Sequence, residues 1–104
     1  MDDRKRFGQE LARIEEDLRA LEIRFEQYFA GVEKREPIKD RESLARRLRQ
    51  FANRRIMQTD LRFKYQNLAT RYQSLSGHWD RILRLMDEGK SVSYTHLRAH
   101  ETVL

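Results

Sequence analysis

Apolar side chains recur along this chain at alternating steps of four and three. In the C-terminal half they are Leu61, Tyr65, Leu68, Tyr72, Leu75, Trp79, Ile82 and Met86. In the N-terminal half they are Phe7, Leu11, Ile14, Leu18, Leu21, Phe25, Tyr28 and Val32. A four-three alternation places every apolar residue on one stripe of an α-helix and asks for a partner stripe. The two stripes have the same length and spacing, so each is the other's expected partner. Ile23 and Phe29 lie off the strict stripe and widen it, which predicts a third packing element near the end of the first helix.

The first helix is expected over about residues 3–36. Asp2 and Asp3 can cap its start. Pro37 ends it, because the ring clashes with the preceding turn and lacks an N–H. Asp40 reads as the N-cap of a short helix over about 41–53, with Leu44, Leu48 and Phe51 on its stripe. Carrying that spacing forward puts Arg55, Gln58 and Arg62 on the stripe, whereas the next one begins at Leu61. The slip predicts a break between Asn53 and Asp60, the alternative being one long helix with a stutter. The last helix then runs over about 59–88, with Thr59 or Asp60 capping it and Gly89 just past its end. Gly77 falls away from the stripe and weakens this helix by up to about 1 kcal/mol without breaking it. The expected fold is all-α: an antiparallel, coiled-coil-like hairpin of two long helices with a short helix between them.

Composition narrows the class. Hydrophobic and charged residues each make up 38% of the 104 residues. That is too little apolar matter for a thick core and suits paired helices that bury one stripe. One Pro and four Gly leave few turns, and the absence of Cys removes disulfide, thiolate and zinc-ribbon chemistry. No apolar run approaches the roughly 20 residues that span a bilayer. The charged start, Met-Asp-Asp-Arg-Lys-Arg, does not read as a secretory leader. A cytoplasmic location is the expectation.

Net charge is +5 but uneven. Arg46, Arg47, Arg49, Arg54, Arg55, Arg62 and Lys64 crowd into nineteen residues, interrupted only by Asp60. Arginine forks match phosphate oxygens, and a concentrated patch binds polyanions. Phe51, Phe63 and Tyr65 are interleaved, as base stacking would need. The competing reading is a basic helix face paired with acidic residues of the first helix.

Catalytic patterns are weak. His78 stands alone beside Trp79, and Asp80 and Asp87 share a face with nothing to desolvate them. There is no Ser-His-Asp set and no Gly-rich phosphate loop. The expectation is a non-enzymatic module without metal or cofactor. It acts through a protein partner or by self-association, with nucleic-acid binding by the basic patch as the alternative.

Tyr28, Phe29, Gly31, Val32, Glu33 and Lys34, followed by Pro37, resemble a segment of an uncharacterised helical domain. That domain stands at the C-termini of myxobacterial and related deltaproteobacterial proteins. Leu61-Arg-Phe-Lys-Tyr-Gln-Asn-Leu68, Arg71-Tyr72, Trp79, Arg81-Ile-Leu-Arg84 and Glu88-Gly89 are similar to its second half. The resemblance spans about residues 7–90 and implies a helical fold. The family has no established activity, so no site residue carries over. Residues 92–102, Val-Ser-Tyr-Thr-His-Leu-Arg-Ala-His-Glu-Thr, resemble instead the translation of a sequencing-library adapter from an assembled environmental read. On that reading residues 1–90 form a single helical domain and 91–104 a non-native or disordered tail. The i,i+4 pair His96 and His100, next to Glu101, then has no metal-binding meaning.

Overall fold

A computed structural model of the chain describes residues 3–89. Among these residues lie three helices and no strand: α1 (Asp3–Phe29), α2 (Ile38–Ala52) and α3 (Thr59–Gly89). The expected class therefore stands, with two long helices packed together and a short one between. The adapter-like stretch, with His96, His100 and Glu101, lies outside the described residues.

α1 ends earlier than expected, and a glycine rather than the proline ends it. Gly31 adopts φ 85°, a left-handed conformation that costs a residue with a Cβ. Its N–H donates to the Tyr28 carbonyl at 3.1 Å, and the Val32 N–H donates to the Gln27 carbonyl at 2.9 Å. This pair of bonds is the Schellman closure, which satisfies carbonyls that the helix end would orphan. Val32 is thereby thrown off the helix and is 76% exposed, so it is not a seam residue. Phe29, one residue beyond Tyr28, is buried in its place. Ile23 does not widen the buried stripe; it is exposed.

α2 begins at Ile38, with Pro37 at its N-cap position and no side-chain cap. Asp40 lies inside the first turn, not at the cap, and its carboxylate reaches across to Arg24. The helix is broken before α3, as the register slip implies. The connection 53–58 buries Ile56, which the spacing rule could not place. Gly89 is the last residue of α3 rather than the residue after it.

The direction of the long pair corrects the expectation. Arg4 pairs with Asp60 at 2.8 Å, Gly8 faces Leu61, Glu22 pairs with Arg71 at 2.9 Å, and Phe25 stacks on Trp79. Residue numbers rise together on both helices, so α1 and α3 run parallel. α2 runs antiparallel to both: Arg24 meets Asp40, Asp17 meets Arg47, Glu10 meets Arg54, and Arg41 meets Asp80. The short helix and the connection after it return the chain along most of α1: Asp40 lies level with Arg24, Arg54 with Glu10 and Asp60 with Arg4.

The shared core is Leu11, Ile14, Leu18, Leu21, Phe25 and Phe29 of α1, Leu44, Leu48 and Phe51 of α2, Ile56 of the connection, and Leu61, Leu68, Trp79 and Ile82 of α3. Phe7, Tyr28, Tyr65, Tyr72, Leu75 and Met86 pack against it while remaining partly exposed. Phe25 and Trp79 are stacked at 4.2 Å between centroids, and Phe51 and Tyr65 at 5.5 Å. Such aromatic pairs add about 0.5–1.5 kcal/mol beyond the area they bury.

Candidate functional site

The basic residues singled out by the sequence do not form one surface. Arg47 and Arg54 face α1, where they bind Asp17 at 2.5 Å and Glu10 at 2.6 Å. Arg54 also lies over the rings of Phe7 and Phe51, 5.7 and 5.5 Å from their centroids. Arg46 and Arg49 are exposed along the outside of α2. Arg55, Arg62 and Lys64 are exposed at the turn from α2 into α3. None of these last five has an ion pair among the described residues.

The three aromatics interleaved with the patch separate as well. Phe51 is in the core, and Tyr65 stacks on it and donates its hydroxyl to the Leu48 carbonyl at 3.0 Å. Burial pushes the Tyr65 phenol above its ordinary pKa. Only Phe63 of the three offers a free face, at 63% exposure.

The charged pairs between α1 and α2 follow a rule. Glu10, Asp17 and Arg24 are seven residues apart, and so are Asp40, Arg47 and Arg54. Each set occupies the g position of its helix, the position that flanks the seam in an antiparallel pair. Each such exposed pair is worth only about 0.2–1 kcal/mol. Their larger effect is on alignment, because a slip of one heptad either way sets Asp17 against Asp40 or Arg24 against Arg47.

Arg41 is the polar residue most deeply engaged, and the sequence reading passed over it. It stands three residues before Leu44, on the α2 seam itself. Its guanidinium donates to the Asp80 carboxylate at 2.7 Å and to Ser76 Oγ at 2.6 Å, and lies over Phe25 and Trp79. Burial works against its charge, but the bonds to Asp80 and Tyr72 outweigh that and hold its pKa above the ordinary arginine value. Extending the α2 seam backward by three would have found it.

The two acidic residues and the histidine weighed for catalysis are not brought together. Asp80 is committed to Arg41 rather than paired with Asp87. His78 is exposed, beside an open cleft shared with Glu22, Glu26, Phe29, Leu75 and Trp79. Among the described residues no cluster of three or more His, Asp or Glu could hold a metal ion, and no helix is long and apolar enough to cross a membrane. Comparison with family models, with curated proteins and with solved structures finds no match.

Proposed function

We propose that this chain is a non-catalytic helical interaction module, and that the end of the bundle where α1 stops is its protein-binding surface. One observation carries the reading. Trp79 lies level with Phe25, yet four residues of α1 follow Phe25 and ten of α3 follow Trp79. α3 therefore outruns α1 by six residues, about 9 Å. Around this overhang Val32, Ile38 and Leu85 are 76%, 50% and 39% exposed. They come from the α1–α2 connection, the start of α2 and the last turns of α3, so three separate segments bring aliphatic side chains to one end. Single exposed aliphatics are ordinary, but several of them at one end of a bundle suit a contact surface. Heptad helices extend by adding further helices, and a second copy of the chain is the simplest occupant.

Sedimentation velocity over a range of concentrations tests this. The expected result is a reversible dimer that Leu85→Glu or Val32→Glu converts to monomer without loss of helicity. A monomer at every concentration, with no protein cross-linked through this end in a host cell, would remove the reading.

A further inference from the structure

The opposite end of the bundle has a different chemistry. Because α1 and α3 run parallel, both helix N-termini lie at this end, and the connection 53–58 reaches it. The Arg4–Asp60 pair, the approach of Leu61 to Gly8 and the Arg54–Glu10 pair bring together segments about fifty residues apart. Lys5 and Arg6 of α1 thereby join Arg55 of the connection and Arg62 and Lys64 of α3. All five are exposed, and none has an ion pair among the described residues. The two helix N-termini add partial positive charge to the same end.

Two large apolar side chains are also exposed in the segments that form this end. Met57 is 76% exposed and Phe63 is 63% exposed, while their neighbours Ile56 and Leu61 are 7% and 8% exposed. The core thus takes the adjacent side chains and leaves these two out. Phe63 lies two residues past Leu61, on the α3 face turned away from both partner helices. Cations around protruding apolar groups suit the boundary of a lipid bilayer, where the cations meet phosphate headgroups and the apolar groups enter the acyl edge. We infer that this end docks upright on an anionic lipid surface, with Met57 and Phe63 entering the interfacial layer and Lys5, Arg6, Arg55, Arg62 and Lys64 resting on the headgroups. A single-stranded nucleic acid is the weaker fit. Its bases need several stacking faces, and Phe51 and Tyr65 are used in the core. A thioether such as Met57 offers no ring at all. The inference is independent of the protein contact assigned to the other end.

Vesicle co-sedimentation of the full chain tests it, using phosphatidylserine–phosphatidylcholine vesicles beside pure phosphatidylcholine and, in parallel, a fluorescent oligonucleotide. The chain is expected to sediment with the anionic vesicles only. Phe63→Ser with Met57→Ser should weaken binding about tenfold, as should Arg55→Glu with Arg62→Glu, each leaving the circular-dichroism melt unchanged because the side chains are exposed. Anionic-vesicle binding that ignores the Phe63 and Met57 changes would reduce the effect to adsorption of a polycation and overturn the proposal. So would oligonucleotide binding without vesicle binding, which would assign the end to nucleic acid, and so would binding to neither.

Discussion

The guanidinium of Arg41 lies 5.6 Å from the centre of the Trp79 ring, on the seam where α2 meets the Phe25–Trp79 stack. The same group bonds Ser76 and Asp80, so one side chain joins α2 to α3 by stacking, hydrogen bonding and charge. Its side chain is 18% exposed, which shields these bonds from salt better than those of the surface pairs. Arg41→Ala is expected to lower unfolding free energy by about 1–3 kcal/mol in urea titration. Arg41→Lys should recover only part of that, because an ammonium has no planar face to lay on the ring. Trp79→Ala opens a cavity beneath it and should cost about 3–5 kcal/mol, a large share of the stability of a small domain.

The charge ladder between α1 and α2 is open to a swap experiment. Asp17→Arg places a cation against Arg47 and is expected to cost about 0.5–1 kcal/mol. The double change Asp17→Arg with Arg47→Asp should restore most of the loss. Thermal unfolding of the two single variants and the double variant supplies the coupling energy. Additive losses with no coupling would mean that the pair contributes no alignment.

Two glycines should respond in opposite senses. Gly31→Ala forces a Cβ onto a left-handed residue that closes α1, and is expected to destabilise by about 1 kcal/mol although no neighbouring atom obstructs it. Gly77 sits inside α3 with open space around its Cα. Gly77→Ala is expected to stabilise by about 0.5–1 kcal/mol. Melting temperatures moving in opposite directions would check both assignments at once.

Stability at high pH should report on Tyr65. Its phenol has a pKa above the unfolded value of 10.0, because burial disfavours the phenolate. The folded state thus favours the protonated form. That contribution is complete below about pH 10 and is lost as pH rises through the folded pKa. Urea unfolding free energy is expected to be flat in this respect up to about pH 9 and to fall above it. Tyr65→Phe should flatten the alkaline fall while costing about 0.5–1.5 kcal/mol at neutral pH through the lost bond to the Leu48 carbonyl.

Much of the architecture was legible in the spacing of apolar residues. The stripe from Leu11 to Phe25, the stripe from Leu61 to Ile82 and the break between Asn53 and Asp60 follow from the period of a helix. The end of α1 was misread because Pro37 is the louder signal, whereas Gly31 acts six residues earlier through backbone conformation. The charged ladder was also present in the sequence. Glu10, Asp17 and Arg24 are opposite in sign to Arg54, Arg47 and Asp40 taken in reverse order. Read antiparallel, each g position of α1 meets a g position of α2 of opposite charge.

The sequence by itself determined that the chain forms helices, which face of each is buried, and that a break separates the second helix from the third. These are properties of one helix at a time, set by its period and by its Gly and Pro residues. Only the tertiary structure decided that α1 and α3 run parallel, because a heptad stripe looks the same to a partner of either direction. That choice came from the reach of α2 and its connections, and it is what separates the two ends of the bundle. Lys5, Arg6, Arg55, Met57, Arg62, Phe63 and Lys64 gather at one end, and Val32, Ile38 and Leu85 at the other, through distances in space that no spacing along the chain encodes.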